Sequence, residues 1–178
     1  LHCPWVSGTV MARLKLNGVN ENLSVLVSSK LTGADDPEIV LDAILTIFPE
    51  FRCGLPSKPT FPTLQNDIIA AEGVPLDGFL DAIHRQAILD TSLDFMSTNL
   101  DSTGTMFQIS RQAAMSGKVA FPLPGDTPLG GVIVVEIGGE NLEDWLEAAT
   151  WHNGRENIPR RVRDEFTMDG QGEAVTWH

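Results

Sequence analysis

An α+β fold, with an antiparallel or mixed sheet and helices packed on one of its faces in two layers, is what this 178-residue sequence predicts. Three observations lead there. Short alternating or β-branched runs recur at Leu23–Leu31, Thr105–Ser110 and Val132–Ile137. Helical apolar stripes stand between them, beginning at Asp36, Gly73 and Asn141. The order is strand, helix, strand, long helix, three strands and helix, which gathers strands into a run instead of alternating them strictly with helices.

Residues 1–22 show no sustained period and read as an N-terminal extension; because Leu1 is not a methionine, Met11 is a candidate start. From Leu23 to Leu31 apolar and small polar residues alternate as in a half-buried strand, and Thr32 and Gly33 turn the chain. Asp36 and Pro37 then supply an N-cap acceptor and a first-turn proline. The stripe Ile39, Val40, Ala43, Ile44, Ile47 and Phe48 follows, and Pro49 ends it. Pro56, Pro59 and Pro62 make 53–63 an irregular loop.

Leu64–Ala71 fits a short strand. A single long helix is expected next, with Leu76, Phe79, Leu80, Ile83, Ala87, Leu93, Met96 and Leu100 in helical period and Asp101–Gly104 as its stop. Thr105–Ser110 alternates, with Met106 and Gln108 on one face and Phe107 and Ile109 on the other; Lys118–Phe121 is expected to be a further strand. The β-branched run Val132–Ile137 predicts a central strand covered on both faces or nearly so. Asn141 caps a last helix with Leu142, Trp145, Leu146 and Ala149 inward. The organisation is therefore one domain over 23–151 followed by a polar tail, 152–178, mobile or loosely docked, holding the only dense basic cluster, Arg155, Arg160, Arg161 and Arg163.

Composition excludes several function classes. Twenty-four acidic side chains against 12 basic ones give a net charge of −12, so non-specific coating of a polyanion is excluded. No apolar run reaches the ~18 residues of a membrane span. Two cysteines, Cys3 and Cys53, fit a reducing cytoplasm. Only four lysines are present, a balance suited to a protein kept hydrated in high salt, although an ordinary acidic cytosolic protein has the same composition.

Motifs for chemistry are missing. His2, His84, His152 and His178 have no metal-ligand spacing, so no metal is expected. There is no nucleophile elbow and no phosphate loop, so no catalytic residue and no cofactor is assigned. A cleft gathering His84, Asp90 and Arg111 would be the mark of a small-molecule enzyme.

The less ordinary feature is a pair of Arg-Gln steps, Arg85-Gln86 and Arg111-Gln112, the second followed by Lys118. Planar guanidinium and amide groups bond phosphates, 2′-hydroxyls and base edges, which makes these five residues candidates for RNA contact, with the arginine tail as a secondary basic element. The same groups serve equally as internal ties between the long helix and the sheet, through Arg85 or Arg111 and Asp90.

At these residues the sequence resembles the archaeal uncharacterised protein family (UPF) number two hundred and one. The resemblance is carried by Asp36-Pro37-Glu38, Ile47-Phe48-Pro49, Arg85-Gln86 with Ile88-Leu89-Asp90-Thr91, Arg111-Gln112-Ala113-Ala114, Gly117-Lys118-Val119, Pro128-Leu129-Gly130 and Leu142 to Trp145-Leu146, across about 23–151. It implies an archaeal, cytoplasmic protein with a fold like that of large-subunit ribosomal protein five, similar to predicted RNA-binding proteins. This chain departs from the pattern at Ala87, where family members carry a further basic residue, and at Ser110-Arg111, where they carry Asn-Lys. The expected function is a non-catalytic module binding structured RNA or a ribonucleoprotein; the alternative is a protein-interaction or structural subunit, such as a homodimer, without nucleic-acid contact and without membrane attachment.

Overall fold

The computed structural model describes residues 15–33, 35–58, 65–123, 125–126 and 128–164. Met11, most of the N-terminal extension, Pro59 and Pro62 of the proline-rich loop and the tail beyond 164 lie outside the described residues.

A 3-10 turn, Val19–Glu21, leads into β1 (Ser24–Gly33). Next come α1 (Pro37–Ile47), β2 (Gln65–Glu72), α2 (Asp77–Gln86), α3 (Leu89–Ser97) and β3 (Gly104–Ser110). The series ends with α4 (Arg111–Met115), β4 (Val132–Gly138), α5 (Leu142–Ala149) and a second 3-10 turn, Asn153–Glu156. The four strands form one antiparallel sheet in the order β2-β1-β4-β3. The architecture is α+β, as the strand run implies.

Local rules account for most elements. Asp36 caps α1 by accepting from the Glu38 N–H at 3.0 Å, with Pro37 in the first turn. Val40, Ala43, Ile44 and Ile47 are buried along it, whereas Ile39 faces solvent. Gly78 lets α2 meet the end of α1, since a Cβ there would lie 2.2 Å from the Ile47 carbonyl oxygen. Phe79 stacks near Phe48 at 6.2 Å between ring centroids and lies 5.4 Å from Phe107, joining helices to sheet. At the N-terminal side, Glu21 Oε2 accepts from the Trp145 indole N–H at 3.1 Å and fastens the entry of the chain to α5.

Four expectations need correction. The long helix is two helices: Ala87 sits in the left-handed region at φ 55°, and the Ile88 N–H turns back to the Ile83 carbonyl at 3.2 Å, closing α2 before α3 starts. Lys118–Phe121 is not a strand, because its backbone joins no ladder, and the residues just before it form the short helix α4. Strand β4 is central, yet it alternates: Ile133, Val135 and Ile137 are buried while Val134 is half-buried and Glu136 exposed, because among the described residues helices cover one face of the sheet only. Asn141 does stand at the N-cap of α5, but its side chain makes no capping hydrogen bond.

The consequence of one-sided packing is a sheet face left uncovered among the described residues. Its residues are the odd set out in each strand's alternation: Leu26, Ser28 and Lys30 on β1, Ile68 and Ala70 on β2, Met106 and Gln108 on β3, and Val134 and Glu136 on β4. Among the described residues no helix is long and apolar enough to cross a membrane.

Candidate functional site

The two Arg-Gln steps are placed by the ends of helices, α2 for the first and α4 for the second. At the end of α2 the Gln86 amide bonds the backbone of Val119 twice, donating to its carbonyl at 2.9 Å and accepting from its N–H at 2.7 Å. That pairing imitates a strand neighbour, so Gln86 is internal glue. Arg85 beside it is exposed and reaches only the Gly117 carbonyl, at 3.5 Å. Lys118, one residue on, is also exposed. Arg85 and Lys118 therefore come to one corner of the molecule.

Arg111 goes elsewhere. Its side chain is 6% exposed, its Nη2 donates to Asp35 Oδ2 at 3.1 Å, and its guanidinium lies over Gly131, where a Cβ would fall 1.9 Å from Nη2. Nε and Nη1 are buried with no hydrogen-bond partner. A phosphate cannot reach this guanidinium, so Arg111 is removed from the contact set. Gln112, the neighbour on α4, faces solvent.

The basic cluster near the C-terminus is only partly free. Arg155 is buried, with Nε on Asp90 Oδ1 at 2.9 Å and further bonds to the Thr150 hydroxyl and the Glu147 carbonyl. His152 Nε2 lies 3.1 Å from the other Asp90 oxygen. Burial pushes the Asp90 carboxyl up, but the hydrogen bonds from Arg155 and His152 outweigh it and hold the group below the ordinary aspartate value. Arg160 forks onto Asp94 of α3, with Nε on Oδ1 at 3.1 Å, and Arg163 donates to the Leu100 carbonyl at 3.1 Å. Arg161 is exposed. Asp90 is thus the anchor of the segment after α5, and neither Arg85 nor Arg111 bonds it.

His84, Asp90 and Arg111 do not share a cleft: His84 Nε2 lies 2.9 Å from the Ala149 carbonyl oxygen, and the other two face Arg155 and Asp35. Among the described residues no group of three or more His, Cys, Asp or Glu side chains is arranged to hold a metal ion.

Sequence reasoning missed the uncovered sheet face. Ile68 is 67% exposed and Met106 37%, with Leu26 and Val134 half-buried between them. At one end the face sinks into a shallow cavity of about 640 Å³, bordered by the carboxylates of Glu72, Asp101 and Glu136. The alternation of Met106 and Gln108 with Phe107 and Ile109 was the available signal.

No protein-family model matches the chain. Individual proteins do. A UPF0201 protein of Methanocaldococcus jannaschii is 29% identical over 121 residues, 67% of this chain and 66% of that protein. Another from Methanothermobacter thermautotrophicus is 26% identical over 127 residues, covering 68% and 89%, and one from Methanopyrus kandleri is 33% identical over 72 residues, covering 40% and 45%. The matched region therefore spans just under two thirds of the Methanocaldococcus relative and less than half of the Methanopyrus one. Among solved structures, the UPF0201 protein from Methanococcus jannaschii superposes with a TM-score of 0.58 at 23% identity, over 71% of this chain and 95% of that one. A further UPF0201 crystal structure gives 0.57 at 19% identity, over 70% and 90%. These structures share the fold. By sequence and fold together, the chain is similar to proteins of the archaeal UPF0201 family.

Proposed function

We propose that the protein is a non-catalytic interaction subunit that receives a protein partner on the helix-free face of its sheet. The carrying observation is the face itself: an exposed Ile68 and Met106 flank half-buried Leu26 and Val134 on a four-stranded surface that no helix covers among the described residues. Exposed apolar side chains with charged groups set among them are a usual composition of a protein contact. Its charges favour a protein over RNA, since Glu72 and Glu136 stand on it against a single lysine, Lys30. The test is crosslinking and capture from an archaeal lysate with the wild-type chain and with Met106→Arg and Gln112→Ala variants. Proteins held by wild type and Gln112→Ala but lost with Met106→Arg support the reading. Equal capture by all three, or none by any, together with a monomeric chain, overturns it.

A second reading retains RNA. It draws support from the exposure of Arg85 and Lys118 at one corner, with Gln112 on nearby α4 and Arg161 as further exposed groups. The likeness to ribosomal protein five and a salt-adapted origin for the acidity belong with this reading, because a few arginines and lysines would then supply the whole contact. Filter binding at low salt decides it: affinity that falls in an Arg85→Ala, Lys118→Ala variant and declines steeply with salt supports RNA, and absence of low-salt affinity excludes it.

A further inference from the structure

We infer that the partner on the uncovered face is a second copy of this chain, docked about a two-fold axis that runs across the strands. This rests on the reading of that face as a protein contact.

Backbone pairing sets the face in three rows. Ser28 is paired with Ala70 on one side and Val134 on the other, and Val134 with Gln108, so the middle row holds no charge. Two residues along β1 in one direction comes Lys30, paired with Ile68. Two residues in the other direction comes Leu26, paired with Glu72 on one side and Glu136 on the other. The single lysine and the two carboxylates therefore sit at equal distances, about 6.8 Å, on opposite sides of the neutral row.

A two-fold axis lying along that row exchanges its two sides. It carries Lys30 of one copy over Leu26 of the other, between Glu72 and Glu136, which stand about 4.8 Å to either side. The contact repeats itself by symmetry, so two lysines meet four carboxylates. Lys30, Glu72 and Glu136 form no ion pair or side-chain hydrogen bond within the chain among the described residues. In the middle row, Ala70 and Ser28 are small enough for close approach, and Gln108 meets its own symmetry mate, a donor and acceptor in one group.

The charge pattern also selects against other registers. Moving the axis by two residues, onto the row of Leu26, sets Glu136 against Glu136, and like charges at such range repel. Four strands about 4.8 Å apart and seven residues long at ~3.3 Å give a flat footprint of roughly 440 Å², before side-chain relief is added. Stable dimers bury about 800 Å² of accessible surface per partner, so this contact belongs to the small, concentration-dependent class.

The experiment is sedimentation of the full chain over a concentration series, for wild type, Lys30→Glu, Glu136→Lys and the double charge exchange. Each substituted side chain is exposed, and circular dichroism verifies that each variant folds. The expected result is reversible dimerisation, weakened about tenfold or more by either single substitution and recovered in the double variant, with wild-type association declining as salt is added. A chain that stays monomeric, or a dimer indifferent to all three substitutions, overturns the inference. Monomeric behaviour combined with Met106-dependent capture of a different protein rejects self-association while leaving the protein-interaction reading in place; monomeric behaviour without such capture removes both.

Discussion

Arg111 Nη2 lies 3.1 Å from Asp35 Oδ2, while the Nε and Nη1 of the same guanidinium are buried without a partner. Among the described residues Asp35 is the one carboxylate paired with this nearly buried charge. Removing the carboxylate strands that charge, so Asp35→Ala is expected to lower stability by about 2–3 kcal/mol. Arg111→Met keeps the bulk and removes both the charge and its orphaned donors, and its cost is expected to be at least 1 kcal/mol smaller. Urea denaturation of the two variants checks the order.

Gln86 and Gln112 occupy equivalent positions in the two Arg-Gln steps, but only Gln86 replaces a missing strand neighbour. Gln86→Ala leaves the N–H and C=O of buried Val119 unmade and is expected to cost about 2 kcal/mol. Gln112→Ala, on an exposed side chain, should stay within about 0.5 kcal/mol of wild type. A pair of thermal melts distinguishes an internal tie from a surface group.

Alanine is a poor residue for the left-handed turn between α2 and α3. With φ at 55°, Ala87→Gly relieves backbone strain and is expected to raise stability by about 1 kcal/mol. Chemical denaturation measures it; a loss of stability would show that the turn tolerates alanine without strain.

Asp90 provides a pH-dependent contact. Its folded pKa is held below that of the unfolded chain, so its contribution is complete above the unfolded aspartate value, about 3.9, and is lost as pH falls through the folded value. The side chain is 44% exposed, which limits the effect through solvent screening. Wild type should therefore exceed Asp90→Asn in stability at neutral pH by an amount that shrinks toward zero on acidification below about pH 4. Denaturant midpoints at a series of pH values follow the difference.

Periodicity is sufficient for the strand runs at Leu23, Thr105 and Val132 and, except at solvent-facing Ile39, for the inward stripes of α1 and α5, because each is decided by neighbours a few residues away. It failed where a distant group decides. Alanine is the strongest helix former, so nothing at Ala87 announces a left-handed turn, and Leu76 to Leu100 keeps an apparent period because α2 and α3 both face the same core. Val119 and Phe121 alternate as strand residues do, but the Gln86 side chain takes the backbone bonds of Val119. Arg111 is buried by Asp35, 76 positions away, which turns a candidate contact residue into a structural one. The uncovered sheet face arises from which side the helices pack, and alternation alone shows two faces without saying which is covered.

The strand order also governs when this chain can fold. β1 lies between β2, which follows it within the first 72 residues, and β4, whose Gly138 meets Ser24 across 114 positions. Until β4 leaves the ribosome, the nascent chain holds a two-stranded ribbon, and β3 has nothing to pair with. Two-stranded ribbons are marginal in water. Completion of the sheet therefore waits for β4 and has high contact order, and a chain interrupted before Val132 presents open strand edges to its neighbours.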